Sequence, residues 1–117
     1  MGYELSTNPS RCDIGVGGGT RTYKLVNHCD RMLAYRIIIN PGSNYSVPEK
    51  QLYGLIQIGY TVDIEITRKP GKPRPDKMII QYASVDQDCR DPKKPFATGV
   101  PVGEITGETM MKLIAVE

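Results

Sequence analysis

Histidine, tryptophan and phenylalanine are scarce in this sequence. Its 117 residues include no tryptophan, one phenylalanine and one histidine. A catalytic arrangement of the Ser–His–Asp or Cys–His type would therefore depend on His28 alone. Cys29 follows directly, and neighbouring residues of an extended strand point to opposite faces, so the two side chains diverge. Because His28 stands beside Asn27 and Asp30, we interpret it as a solvated turn residue and expect no enzymatic activity.

Cysteines are few as well, at positions Cys12, Cys29 and Cys89. An odd number without a C-x-x-C pair does not match a secreted disulfide framework or a zinc site, which normally shows even counts or close pairs. We interpret all three as free thiols in structural positions.

Familiar ion-binding motifs are incomplete. The glycine-rich residues 15–20 are not followed by the Gly-Lys-Ser/Thr that opens a helix in a phosphate-binding loop. Residues 20–23 open a strand instead. A flexible connection is the better interpretation. Asp86, Asp88 and Asp91 lack the central glycine and terminal glutamate of a calcium loop, which favours a solvated acidic loop. We therefore expect no metal and no cofactor.

Long apolar runs and a strong net charge are also missing. Residues 1–5 do not combine a positive region with an apolar run, so no signal peptide is indicated. No stretch approaches the roughly 20 apolar residues of a membrane span. The net charge of +2 is too small for the long-range field of a nucleic-acid binder. These absences predict a cytoplasmic protein without nucleic-acid partners or membrane insertion.

Glycine and proline, in contrast, are frequent. Twelve glycines and nine prolines interrupt the chain too often for helices of average length. Between them, residues alternate with period two, as in Leu33, Tyr35, Ile37 and Ile39, which share one face of a strand. Nine stretches have strand character: 3–7, 12–16, 20–27, 33–39, 45–47, 53–58, 62–67, 77–84 and 109–116.

This spacing of strands and turns predicts the fold class. Roughly seven short strands fit an all-β, immunoglobulin-like seven-stranded β-sandwich. The length suits one domain over residues 1–117. The long connection at residues 85–107 is expected to be an ordered loop with a helical turn.

Two isoleucines do not fit the core. Ile38 and Ile79 fall on the faces opposite to the core-facing residues of their strands, the third and the sixth. Those strands are neighbours in the immunoglobulin arrangement, so the two side chains would stand together on an outer face. The flanking polar residues are Arg36, Lys77 and Gln81. We predict that these five residues bind a protein partner, with a second copy in a homodimer among the candidates; the alternative is that loop residues cover them.

A basic run at residues 68–77 carries five positive charges and one negative charge. It is compatible with an acidic peptide, a phosphate group or nucleic acid. Because no aromatic residue interleaves with the charges, base stacking is unsupported. A solvated loop between two strands is the favoured interpretation.

Several segments, taken in order, resemble the major sperm protein domain. Residues 23–27 (YKLVN) and 30–37 have its Leu-x-Asn, basic residue and aromatic-x-aliphatic pattern. Residues 76–83 (DKMIIQYA), 91–97 (DPKKPFA) and 111–115 (MKLIA) are similar to small single-domain sperm-specific proteins of nematodes. The resemblance covers the chain from about Ser6 onward.

The resemblance implies a sandwich without enzymatic activity. Major sperm proteins dimerise and polymerise into filaments that drive sperm crawling, which implies a non-enzymatic protein–protein interaction module of the nematode sperm cytoplasm. Such a module would be a cytoskeletal component or a regulator of filament assembly.

The alternative that the family offers is a peptide-binding adaptor. VAMP-associated proteins use the outer face of one sheet to grip an acidic peptide containing phenylalanines. The family's Lys-Thr-Thr aligns with Ile38-Ile39-Asn40, which replaces a cation and a hydroxyl by apolar groups, while Lys77 keeps one positive position. These replacements favour an apolar partner over that peptide.

Overall fold

Nine β-strands account for most of the regular structure in the computed structural model, which describes residues 4–8 and 11–116 and only the backbone of Asn8. The strands are β1 (Leu5–Asn8), β2 (Arg11–Gly15), β3 (Gly19–Asn27), β4 (Met32–Ile39), β5 (Tyr45–Ser46), β6 (Tyr53–Ile56), β7 (Thr61–Arg68), β8 (Asp76–Val85) and β9 (Thr106–Val116). Two short 3₁₀ helices cover Glu49–Gln51 and Lys94–Phe96. The all-β prediction is confirmed, and each of the nine predicted stretches overlaps one of the nine strands. Tyr3, the predicted start of the first stretch, lies outside the described residues.

The strands form two sheets. One has four strands in the order β1-β3-β7-β5 and the other has five in the order β2-β9-β8-β4-β6. The pairs are antiparallel except for β2 with β9, which is parallel. The chain therefore crosses from the first sheet to the second between β1 and β2. This crossing and the two-residue β5 raise the number of strands above the predicted seven.

The core lies between the sheets and follows the period-two pattern. In β7, Ile64 and Ile66 are buried, whereas Asp63 and Glu65 are exposed. This alternation is that of a strand with one face on a core and the other on solvent. The large side chains that are almost fully buried include Leu25, Leu33, Met78, Ile80 and Met111, which come from both sheets.

The central pair of the five-stranded sheet is β4 with β8. Eight consecutive residues of β4 pair with β8, from Met32 opposite Val85 to Ile39 opposite Met78. On the core face this register sets Ile37 opposite Ile80. The predicted neighbours, the third and sixth strands of the immunoglobulin arrangement, are therefore adjacent.

Arg68 departs from the prediction of a solvated basic loop, because its side chain is only 1% exposed. Its guanidinium donates four hydrogen bonds of 3.0–3.2 Å to backbone carbonyl oxygens and lies 5.5 Å from the centroid of the Tyr45 ring. The four acceptors belong to Val16, Lys69, Gly71 and Lys72. The guanidinium has five N–H donors in a planar fork, so one side chain can hold several turns of backbone.

The glycine-rich turn after β2 packs against this arginine, which gives its glycines a structural role. Gly18 has φ +89°, and a Cβ there would come within 2.8 Å of the Arg68 carbonyl oxygen. A glycine is needed at this position for both reasons. The turn is also fixed by the bond from the Gly71 amide to the Val16 carbonyl at 3.0 Å. The expectation of a flexible connection is wrong, since the turn is tied to the loop that follows β7.

We predict that Arg68→Met lowers the free energy of unfolding by about 3 kcal/mol or more, because it leaves buried carbonyl groups without donors. Chemical denaturation followed by circular dichroism measures this loss. Arg74→Met, in the exposed part of the same loop, serves as the control and should change stability by less than about 0.5 kcal/mol. Equal stability of the two variants would contradict the structural role of Arg68.

Candidate functional site

The outer face of the five-stranded sheet carries an apolar row across three strands. Ile38 of β4 lies opposite Ile79 of β8, and Ile79 lies opposite Met110 of β9. The two isoleucines are half-buried, and Met110 is 46% exposed. The structure thus brings the two predicted isoleucines together and adds a third apolar side chain. These three large apolar side chains on the solvent side of the sheet make this face the candidate interface.

Polar residues border this apolar row on both sides. The row nearer the middle of the sheet contains Arg36 opposite Gln81, with Glu108 on β9 beyond it. On the other side, Lys77 lies opposite Lys112, and Lys112 is paired with Arg11 of β2. The five predicted residues therefore lie in three adjacent rows of one face. Like charges directly opposite each other destabilise a sheet, so the row of three cations has a cost in the isolated chain, which the ion pair of Arg11 with Asp13 at 3.3 Å reduces at one end.

The long connection between β8 and β9 covers only the other half of this face. Phe96, in the 3₁₀ helix of this connection, is 4% exposed, and its ring centroid lies 6.0 Å from that of Tyr53. Ala34 and Ala83, which are paired across β4 and β8, are both fully buried. The connection has the predicted helical turn. It leaves the row of Ile38, Ile79 and Met110 partly open to solvent.

A shallow groove runs along the open half of the face. It has a volume of about 470 Å³. Its lining residues are Ile38, Asn40, Pro75, Asp76, Lys77 and Ile79. The groove therefore combines three apolar side chains with an amide, a carboxylate and one exposed cation at the start of β8. This combination suits an apolar side chain of another protein with polar or charged groups nearby.

The outer face of the four-stranded sheet has a different character. Its β3 and β7 residues pair polar groups with one another: the Thr20 and Thr67 hydroxyls lie 2.9 Å apart, and Lys24 donates to Asp63 at 2.7 Å. These groups are exposed and satisfy each other. Such a face gains little from being covered, so the candidate interface belongs to the five-stranded sheet.

The residues considered for catalysis and metal binding do not assemble into a site. His28 is exposed, its Nε2 lies 2.7 Å from the Ser6 hydroxyl, and it does not line the groove described above. The three cysteines are free, and burial raises the pKa of the Cys12 thiol, which disfavours a thiolate nucleophile. In the part of the chain that the structure describes, no group of three His, Cys, Asp or Glu side chains is placed to hold a metal ion. Within residues 4–8 and 11–116, no helix has the length and apolarity to cross a membrane.

Comparison with protein families assigns the fold to a known group. The family model described as MSP (Major sperm protein) domain matches residues 4–102. The chain belongs to this family.

Relatives and solved structures agree with the assignment to the MSP domain family. An uncharacterised protein of Caenorhabditis elegans is 47% identical to the chain over 117 residues, the full length of both. Sperm-specific class P protein 31 of Caenorhabditis elegans is 31% identical over 111 residues, 95% of this chain and 98% of that protein. The structure of WR4, a Caenorhabditis elegans MSP family member, superimposes with a TM-score of 0.85 at 30% identity and covers 97% of this chain and 98% of that one. The predicted family and fold are confirmed, and the homologues place the chain among nematode sperm MSP-family proteins.

Sequence reasoning missed Met110, Lys112 and Arg11 as members of the face. All three were within predicted strands or next to one, but period two does not say which strands are neighbours. The sequence contained a signal for two of them. Met111 and Leu113, which are buried, alternate with Met110 and Lys112, so the period-two pattern places Met110 and Lys112 on the outer face. The MSP family match ends at residue 102, so these two lie beyond it.

We predict losses of stability of very different size at the adjacent residues Ile79 and Ile80. Ile80→Ala should lower the free energy of unfolding by about 2–5 kcal/mol, because Ile80 is fully buried in the core. Ile79→Ala should cost less than about 1 kcal/mol, because its side chain is already half in solvent. Denaturant unfolding of both variants tests the assignment of faces, and a larger loss for Ile79→Ala would contradict it.

Proposed function

We propose that this chain acts as one non-enzymatic protein–protein interaction module, residues 1–117, in the cytoplasm of nematode sperm. Its role is that of a cytoskeletal component or of a regulator of MSP filament assembly. The contact is made by the outer face of the five-stranded sheet. The contact residues are Arg36, Ile38, Lys77, Ile79, Gln81 and Met110.

The observation that carries the proposal is the partly open row of Ile38, Ile79 and Met110 with polar residues on either side. Protein interfaces have this arrangement, in which a central apolar group is covered on binding and a polar rim stays wet. A partner would cover the apolar row.

The strength expected of this contact suits an assembly made of repeated weak contacts. Covering three partly buried apolar side chains gives on the order of 5 kcal/mol, whereas association costs at least about 4 kcal/mol in lost freedom. A single such contact is therefore weak, and a homodimer held by this face alone is populated only at high concentration. Repetition in a filament raises the total affinity without new contacts.

The test uses purified MSP filaments and the Ile79→Asp variant. The parent protein should co-sediment with the filaments or change their assembly rate, and Ile79→Asp should lose at least about tenfold in either effect, because a buried unpaired carboxylate is costly. Thr61→Asp adds the same charge at the exposed first residue of β7, in the other sheet, and should behave like the parent. Analytical ultracentrifugation of Ile38→Lys and of the parent reports self-association through the same face.

Failure of the parent protein both to bind filaments and to alter their assembly would contradict this function. An equal loss in Thr61→Asp and Ile79→Asp would place the contact elsewhere. A reaction that the protein catalyses and His28→Ala abolishes would contradict the non-enzymatic character.

A second candidate is a peptide-binding adaptor that uses the same face, and the row of Lys77, Lys112 and Arg11 favours it. Their pairing places three cations side by side across β8, β9 and β2, next to the groove that contains Ile38 and Ile79. An acidic segment would offset the repulsion among them.

This candidate predicts that Lys77→Glu/Lys112→Glu weakens binding of an acidic peptide containing an aromatic residue by at least about tenfold, since close charge pairs contribute several kcal/mol to binding. Fluorescence titration at low and high salt measures the affinities. Lys50→Glu, at an exposed position of the 3₁₀ helix between β5 and β6, is the control. Identical affinities of the parent and the double variant would exclude the adaptor role while leaving the filament role intact.

A further inference from the structure

The loop between β7 and β8 concentrates positive charge at one end of the sandwich. Residues 68–75, called the basic loop here, contain two arginines and two lysines and no acidic residue. They therefore carry +4. Since the whole chain carries +2, the rest of it carries −2. This separation of charge gives the molecule an orientation in the field of an anionic surface.

The basic loop is held in a fixed shape by the arginine buried beneath it. Arg68 binds the carbonyl oxygens of Lys69, Gly71 and Lys72 within the loop. The Lys69 amide donates to the Asn44 carbonyl at 2.9 Å, which ties the loop to the turn before β5. Three prolines, at positions 70, 73 and 75, restrict the backbone further. Binding through this loop therefore orders little additional backbone.

The cations that remain outside are free to bind. Lys69, Lys72 and Arg74 are exposed, and none of them forms an ion pair with an acidic side chain of the described residues. Arg68 adds a fourth positive charge that likewise has no carboxylate partner there. The three exposed charges are therefore available to an anion from outside.

The surroundings of the loop indicate which kind of anion it fits. The groove beside Ile38 and Ile79 reaches the loop only at Pro75, and residues 68–74 do not line it. No aromatic residue is present for stacking on bases. Exposed cations on a rigid, groove-free loop match an extended anionic surface, where only charge and orientation are needed.

We propose that the basic loop docks the protein on the anionic headgroups of a lipid bilayer, without insertion. Lys69, Lys72 and Arg74 contact the phosphates and carboxylates of the headgroups, and Arg68 contributes to the field from beneath. This site does not depend on the proposed function, because the exposed cations lie outside the apolar row and outside the groove beside it.

The test is sedimentation of the full chain with vesicles of phosphatidylcholine containing about 30% phosphatidylserine, with pure phosphatidylcholine vesicles for comparison. We expect binding to the anionic vesicles only. Each exposed cation near an anionic surface contributes about fivefold in affinity, so Lys72→Gln/Arg74→Gln should bind about twenty-five-fold more weakly. Raising the salt concentration should weaken binding of the parent, because the contact is electrostatic.

The matched control is Lys50→Gln/Arg90→Gln, which removes the same charge from exposed positions outside the loop. It should keep the affinity of the parent, and equal loss in both double variants would overturn the site, since total charge alone would then explain binding. Ile79→Asp should also keep vesicle binding, which separates this site from the outer face.

Inorganic phosphate at low millimolar concentration should not compete with the vesicles for the protein, and competition would assign the loop to free phosphate instead. Absence of binding to anionic vesicles, or binding to an acidic polypeptide or duplex DNA in their place, would refute the proposal.

Discussion

The antiparallel pairing of β4 with β8 is the constraint on which both sides of the five-stranded sheet depend. The register that sets Ile37 opposite Ile80 in the core also sets Ile38 opposite Ile79 outside. Because side chains alternate along a strand, a shift of one residue in either strand would send its core residues into solvent. Burial of Ile37 and Ile80 therefore fixes the position of the outer pair. The apolar row follows from the core and needs no separate interaction to hold it in place.

The two outer faces show how the same rules of packing yield one inert surface and one candidate interface. On the four-stranded sheet, a hydroxyl pair and an ion pair link β3 with β7. On the five-stranded sheet, Ala34, Ala83 and Phe96 of the long connection are buried, whereas Met110 is 46% exposed. What stays open is an apolar row beside three neighbouring cations, a combination that is unfavourable in water and favourable under a partner.

The sequence predicted what depends on alternation within one strand and missed what depends on tertiary contacts. The pattern around Ile38 and Ile79 was enough to place both on an outer face, because period two assigns faces locally. It could not place Met110 beside Ile79, since that requires knowing that β9 pairs with β8 and in which register. Arg68 was missed for the same reason. Its acceptors are the carbonyl oxygens of Val16 and of the loop that follows Arg68, and a sequence pattern does not predict where backbone carbonyl groups lie. An arginine in a run of lysines and prolines looks solvated until a folded backbone surrounds it.

Arg68 links the electrostatics of the surface to the stability of the fold. Burying a guanidinium is costly unless its donors are satisfied, and here four carbonyl oxygens accept from its two terminal nitrogens, while Nε has no acceptor among the described residues. Because carbonyls and not carboxylates do so, the positive charge is stabilised without being neutralised. An acidic partner at this position would hold the loop equally well but would cancel one of its charges. The choice of acceptors therefore keeps the loop both rigid and positive. Its border with the groove at Pro75 places a rigid, salt-sensitive surface beside an apolar surface that salt affects little.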